Sequence, residues 1–275
     1  MYTEAERLLL RLGWFSTGRG EGSRGFLELV QGQIQAGTLD ASIEFVFTNR
    51  EQGEAEGSDR YQELVKEYGI PLVTLSSRRY QQEHGGGPWS RHRDSFHKRA
   101  MELIAGYETD ICVLAGYMLI TSAEMCRRYP MVNLHPALPW GPQGTWQQVI
   151  WKLIEAQAAE TGIMVHIATE KLDSGPVLAY SSFPIQGGDY DRLWAGTKGK
   201  PLAELQSEGE AQPLFKRIRT EGLRRERPLL LAVLRALADG EMRVALNQVL
   251  DKNGRPVGPR NMNEEVERYL KAGGG

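Results

Sequence analysis

Long hydrophobic runs are missing from this chain, and so is a surplus of charge of either sign. No apolar stretch approaches the ~20 residues needed to cross a bilayer. Glu4, Glu6, Arg7 and Arg11 interrupt the leucines near the start, so neither a spanning helix nor a secretory leader is expected. The 33 basic and 35 acidic residues leave a formal net charge of -2, which offers no basic field to nucleic acid. Arg217, Arg219, Arg224, Arg225 and Arg227 make a local basic stretch, read as the solvated face of a helix. Cysteine is scarce: Cys112 and Cys126 are the only two, and their spacing fits neither a disulfide framework nor a metal or redox motif. Cys112 lies within Ile111-Cys112-Val113-Leu114 and reads as a small buried hydrophobe. These absences lead to the expectation of a reduced, cytoplasmic protein, monomer or homodimer, that acts on small molecules rather than nucleic acid or membrane.

What is present suits one ordinary core with appendages, since 41% of 275 residues are hydrophobic. Short apolar runs alternate with amphipathic stretches, which argues for an α/β fold with an open, mostly parallel sheet and helices on both faces. Strands are expected at residues 10–16, 43–48, 71–75, 111–115, 131–133 and 163–168, and helices at 25–36, 58–68, 93–107, 122–128 and 228–238. Gly85-Gly86-Gly87-Pro88 marks a mobile loop within 78–89, and Gly196, Gly199, Pro201 and Pro213 break up residues 190–215. Residues 242–257 read as a hairpin turning at Asn253-Gly254, ahead of a short helix and a frayed end at Gly275. The division expected is a main domain over 1–245, with insertions near 78–90 and 190–215, and a hairpin and tail over 246–275.

Two segments carry the chemistry. Asn133-Leu134-His135-Pro136-Ala137-Leu138-Pro139 places an amide and an imidazole at i and i+2, on one face of an extended strand end. Pro136 and Pro139 then open that face as a loop. Val165-His166 and Lys171-Leu172-Asp173-Ser174-Gly175-Pro176 follow, and the second offers a carboxylate in a turn. An amide, an imidazole and a carboxylate suit acyl transfer to an amine, where an oxyanion needs donors and the amine must lose a proton. A carboxylate beside His135 is expected to raise its pKa. His166 also fits a satisfied strand histidine, while His84, His92 and His97 read as surface residues. His135, His166 and Asp173 could in principle hold zinc, but the arrangement suits oxyanion chemistry better and no metal is expected. Between the first strand and its helix lie Gly18, Gly20, Gly22 and Gly25, which fit either a phosphate cradle or a flexible loop.

The Asn133 to Pro139 segment resembles the Asn-x-His-Pro-Ser-Leu-Leu-Pro signature of the folate-dependent formyltransferases. Val165-His166 and Leu172-Asp173-Ser174-Gly175-Pro176 resemble that family's Ser-Val-His and Leu-Asp-x-Gly-Pro elements. Phe47-Thr48-Asn49-Arg50, Arg93-Asp94-Ser95-Phe96 and Leu114-Ala115-Gly116-Tyr117-Met118 agree in order, so the resemblance runs from about residue 12 to residue 190. His166 leans toward the phosphoribosylglycinamide formyltransferase branch. The resemblance implies transfer of a formyl group from 10-formyltetrahydrofolate to glycinamide ribonucleotide, without a metal. It implies catalytic roles for Asn133, His135 and Asp173. It places acceptor phosphate at Gly20, Gly22, Ser23 and Arg24, and acceptor ribose at Glu221, with Glu226 as the other candidate. Folate falls to Arg93, Met118, Leu119, Ile120, Thr121 and His166. The chain departs from the family at Arg24, where Asn is usual, at Leu119, where Arg is usual, and at Ile163-Met164, where small hydroxyl residues are usual. Other acceptors remain open, among them an amino-sugar nucleotide or water, as does a folate- or nucleotide-binding protein without turnover. The hydrolase usually carries an N-terminal regulatory domain, whereas Leu10 already opens the first strand here.

Overall fold

A computed structural model describes residues 9–245 and 247–273. The Glu4, Glu6 and Arg7 interruption and the far end of the tail lie outside the described residues. The fold is α/β, with a mixed, mostly parallel open sheet of eight strands and a small two-stranded sheet near the C-terminus. Two compact units are present, the first drawn from the described residues of Met1–Asn133, Ile167–Pro176 and Leu234–Val257, the second from Leu134–His166, Val177–Val233 and Gly258–Gly275.

In the first unit the order is β1 (Leu10–Ser16), α1 (Glu21–Gln35), β2 (Ala41–Thr48), α2 (Glu56–Glu67), β3 (Leu72–Thr74), α3 (Ser77–Glu83), α4 (Trp89–Ile104), β4 (Ile111–Leu114), α5 (Ala123–Arg128) and β5 (Met131–His135), whose last two residues belong to the second unit. The strands lie in the order β5-β4-β1-β2-β3 and all run parallel. Ser16 pairs with Thr48 and Thr48 with Thr74, while Phe15 pairs with Leu114 and Leu114 with Asn133. The carboxyl ends therefore finish level, which is where an open parallel sheet puts its ligand crevice. Phe15, Phe45, Phe47, Phe96, Met101, Ile104, Met125 and Met131 fill the core on one side.

In the second unit come α6 (Trp146–Glu155), β6 (Glu160–Ile167, ending in the first unit), β7 (Val177–Pro184), α7 (Asp189–Ala195), α8 (Leu202–Ser207), a 3-10 turn (Gly209–Ala211) and α9 (Pro213–Ala238), of which the residues up to Val233 belong here. After α9 the small sheet of β8 (Met242–Ala245) and β9 (Gln248–Asp251) belongs to the first unit, while β10 (Arg260–Asn261) and α10 (Asn263–Lys271) belong to the second. β7 runs antiparallel to β6 and parallel to β10. Val149, Leu153, Phe183, Leu214, Phe215 and Ile218 make this unit's core, with the Trp151 ring 4.7 Å from that of Phe215. No helix among the described residues is long and apolar enough to cross a membrane.

Several expected elements shift. α1 begins at Glu21 rather than residue 25, so Gly20 is its N-cap and Gly22 and Gly25 lie within the helix. The expected loop over 78–89 is mostly helix: Ser76 caps α3 by accepting from Arg79 N–H at 2.9 Å, and only residues 84–88 join it to α4. Residues 190–215 hold α7 and α8, whose Tyr190 and Leu205 are buried despite the surrounding Gly and Pro. α9 starts fifteen residues before the expected 228, because Pro228 continues the helix rather than opening it. The β8–β9 hairpin reverses between Ala245 and Gln248, with Asn247 at φ 58°. Asn253-Gly254 makes a second reversal, closed by Gly254 N–H to Asp251 O at 3.0 Å. The short helix expected in the tail is α10.

The Asn263 side chain pins α10 to β7. It accepts from Ser181 Oγ at 3.0 Å and Ser182 N–H at 2.8 Å, and its Nδ2 lies 3.1 Å from Ser182 Oγ. Asn263→Ala is expected to lower stability by about 1–3 kcal/mol, the cost of stranding a half-buried donor. A urea midpoint that falls at unchanged slope is the predicted result.

Candidate active site

β5 delivers the first two candidate residues. Asn133 and His135 sit at alternate positions of the strand, Asn133 half-buried and His135 4% exposed. Within the first unit, Asn133 Nδ2 lies 3.5 Å from Asp173 Oδ1. Asp173 adopts φ +50°, a left-handed conformation rare for residues other than Gly. Non-Gly residues held in that region cluster at functional sites, where the surroundings enforce the strain. Here the enforcing contact is visible: a Cβ added at Gly175 would sit 1.8 Å from the Ile167 carbonyl oxygen. Ser174 N–H also bonds to Lys171 O at 3.4 Å. The Leu-Asp-Ser-Gly turn therefore presses against the end of β6 and fixes where the carboxylate stands.

Within the second unit, His166 on β6 is 2% exposed, and its ring centroid lies 6.4 Å from that of His135, edge to face. The loop after His135 seats itself on β6. Gly162 leaves room for Leu138, whose Cδ2 would lie 2.5 Å from an added Cβ. Ala137 and Leu138 are buried, while Trp140 is 62% exposed with its ring 5.1 Å from Tyr180. Trp140 is not among the residues expected at the site, although a tryptophan between prolines in a loop is a signal of exposure.

The glycine segment and the residues after β4 meet in the first unit. Gly20 is the N-cap of α1 and supplies no side-chain cap, and space is open beside both Gly20 and Gly22. The first N–H groups of a helix lack intrahelical partners and attract anions. Ser23 and Arg24 are half-buried in that first turn. Residues 118–121 alternate: Met118 and Ile120 face outward at 60% and 44% exposure, Leu119 packs on the aromatic core, and Thr121 is buried with Oγ1 3.1 Å from Cys126 Sγ. The outward pair gives an apolar strip, whereas Leu119 and Thr121 present only backbone to a ligand. Arg93, on α4, reaches Asp94 Oδ1 at 3.1 Å. Among the described residues no group of three or more His, Cys, Asp or Glu is placed to hold a metal ion.

Two readings of the sequence are corrected. The arginine stretch of α9 is not a simple solvated face. Arg225, 8% exposed, donates to Glu221 Oε2 at 2.7 Å and Glu267 Oε1 at 2.8 Å, and Arg217 and Arg224 each lie 3.3 Å from Glu221 Oε1. Burial pulls the Glu221 carboxyl upward, but Arg225, Arg224 and Arg217 outweigh it and hold its pKa below the usual range. Glu226 shifts the other way, since burial exceeds the attraction of Arg219 at 2.9 Å. The second correction concerns His92 and His97, buried at 3% and 0% rather than on the surface. His92 Nε2 donates to Gly86 O at 2.6 Å, which closes the 84–88 turn. His97 Nδ1 donates to Arg93 O at 2.8 Å, and Nε2 accepts from the Tyr117 hydroxyl at 3.1 Å. Spacing held the signal, because His97 shares an apolar stripe with Met101 and Ile104.

Burial lowers the His97 pKa from 6.5 to about 4, with the Arg93 charge adding to it and the Arg93 carbonyl and Asp94 opposing. The unfolded chain therefore binds the extra proton first, and stability is full above pH 6.5 and lost as pH falls toward 4. The loss should reach roughly 3 kcal/mol. Urea midpoints measured at pH 7 and pH 4.5 should fall further apart in wild type than in His97→Gln, and equal gaps would refute the assignment. Gly175→Ala, by contrast, should displace Asp173 and cost about 2 kcal/mol or more in the same unfolding experiment.

Known proteins resemble this chain in sequence and fold. The family model described as formyl transferase matches residues 20–193, more than half of the chain. The phosphoribosylglycinamide formyltransferase of Escherichia coli (strain K12) is 26% identical over 172 residues, 62% of this chain and 72% of that protein. The match to the trifunctional purine biosynthetic protein adenosine-3 of Bos taurus, 28% identical over 123 residues, covers 44% of this chain but 11% of that longer protein. A solved structure of the phosphoribosylglycinamide formyltransferase of Coxiella burnetii superposes with a TM-score of 0.64 at 22% identity, covering 92% of this chain and 98% of that one. A formyltetrahydrofolate deformylase of Pseudomonas syringae pv. tomato shares the fold at a TM-score of 0.58 and 17% identity, over 89% of this chain and 66% of that one. With more than half its length inside the family model, the chain belongs to the formyl transferase family, as an enzyme similar to the phosphoribosylglycinamide formyltransferases.

Proposed function

We propose that the chain transfers the formyl group of 10-formyltetrahydrofolate to the amine of glycinamide ribonucleotide, a cytoplasmic step of purine biosynthesis. The observation that carries this reading is the 3.5 Å contact between Asn133 and Asp173, made two residues before His135 on the same strand. In the proposed reaction the amine nitrogen attacks the formyl carbon and the carbonyl electron pair moves onto oxygen. The Asn133 amide N–H and the His135 imidazolium donate to that oxyanion, whose stabilisation usually contributes most to the rate of acyl transfer. The intermediate then collapses, the bond from carbon to folate N10 breaks, and N10 takes up a proton. Asp173, directly or through a water, receives the proton that the attacking amine gives up.

The remaining assignments are those the family resemblance implies, and local chemistry is compatible with them. Acceptor phosphate goes to the open N-terminus of α1 at Gly20, Gly22, Ser23 and Arg24. Folate rings go to the Met118 and Ile120 strip and to the backbone of Leu119 and Thr121, with Arg93 and His166 as further contacts. Glu221, whose lowered pKa keeps it ionised, is assigned to the ribose hydroxyls. Two buried free cysteines are compatible with a reducing compartment.

Absorbance of the folate product, followed with and without glycinamide ribonucleotide, tests this reading. Turnover should require the acceptor, and His135→Ala should lower it by about 10²–10³ with the urea midpoint little changed. Asp173→Asn should lower it in the same way. Folate consumed equally without acceptor would point to water as the nucleophile, and full activity in both variants would remove these residues from the mechanism.

A further inference from the structure

We propose that Thr17 couples two binding loops, so that an anion held at the start of α1 raises the affinity of residues 118–121 for folate. The proposal rests on the assignment of those loops to acceptor phosphate and to the donor. Thr17 is 2% exposed and stands between β1 and α1. Its hydroxyl donates to Asn49 Oδ1 at 2.7 Å and accepts from Met118 N–H at 2.9 Å. Its N–H donates to Gly116 O at 3.0 Å, and its carbonyl accepts from Ser58 Oγ at 3.1 Å. One buried residue thus touches the loops that follow β1, β2 and β4, and the start of α2.

The direction of each bond is fixed. Asn49 Nδ2 donates to Ser77 Oγ at 3.0 Å, which leaves the carboxamide oxygen facing Thr17. The Thr17 proton must therefore point at Asn49, and its lone pair at Met118. Buried groups in such a relay cannot move singly without stranding a donor. Gly20, the N-cap of α1, follows three residues later with open space beside it. At the other end of the apolar strip, Trp89 Nε1 donates to Ile120 O at 3.4 Å. An anion that orders residues 17–20 orders Thr17, and through it the Met118 backbone. A second ligand then has less freedom to remove, which gives positive coupling without a change of shape. Linkage makes the effect reciprocal. Thr17 is in this account a positioning residue that touches neither ligand.

Calorimetric titration of tetrahydrofolate into wild type, Thr17→Val and Thr17→Ser, each with and without glycinamide ribonucleotide, tests the coupling. The acceptor should tighten tetrahydrofolate about fivefold or more in wild type and in the serine variant, and leave the valine variant unchanged. A merely structural role would weaken binding in the valine variant and keep the enhancement, and that result overturns the proposal. So does a wild type without enhancement. If wild type binds no tetrahydrofolate at all, the assignment of the donor loop fails first. Hydrogen exchange on wild type alone gives a check independent of folding in the variants: glycinamide ribonucleotide should slow exchange of the Met118 amide, and unchanged exchange counts against the relay.

Discussion

Five parallel strands that end level with one another bury the first residues of the loops they feed, and each polar group there must find a partner. An unpaired buried donor or acceptor costs about as much as a mutation needs to be felt, roughly 1–3 kcal/mol. The chain meets this constraint with short side chains. Thr17, Asn49, Ser58 and Ser77 satisfy one another across two loops and the starts of α2 and α3, and Asn133 meets Asp173 at the end of β5. Hydroxyls and amides placed to complete the fold thereby leave backbone N–H groups and apolar side chains such as Met118 and Ile120 facing outward. On the proposed reading, structure and ligand recognition are served by the two sides of the same short segments.

Charge is handled by a different rule in α9. Glu221 and Glu226 sit five residues apart on one helix and are both paired with arginine, yet their pKa values move in opposite directions. Desolvation at Glu221 is outweighed by Arg225, Arg224 and Arg217, whereas at Glu226 it exceeds the pull of Arg219 and Arg227. Arg225 also lies 4.7 Å from the Phe183 ring centroid and Arg219 4.4 Å from that of Trp146, so aromatic faces share the load. A carboxylate that stays ionised in a cationic setting is suited to accept hydrogen bonds from hydroxyl groups.

Much of this was legible in the sequence because its signals are local. β1 has the limits the sequence predicts, since a seven-residue, mostly apolar strand ends in a hydroxyl ahead of glycines. Asn133, His135 and Asp173 are candidates by residue type beside proline and glycine, and the structure brings Asn133 to Asp173, whose left-handed backbone the sequence does not signal. α6 went unread, although Thr145 and Gln148 form a capping box at its start. The long α9 hid behind Pro228, because a proline more often opens a helix than continues one. Its ion pairs were equally hidden, as partners such as Glu267 stand far away in sequence. His97 was mistaken for a surface residue because its partner, the Tyr117 hydroxyl, arrives from another element.

The central claim is that a formyl group passes from folate to an amine. It is tested most directly by incubating the protein with glycinamide ribonucleotide and 10-formyltetrahydrofolate whose formyl carbon carries a ¹³C label, then locating the label by mass spectrometry. The account predicts the label in the ribonucleotide, bound through its amine. Label recovered as free formate, with the ribonucleotide unchanged, would contradict it.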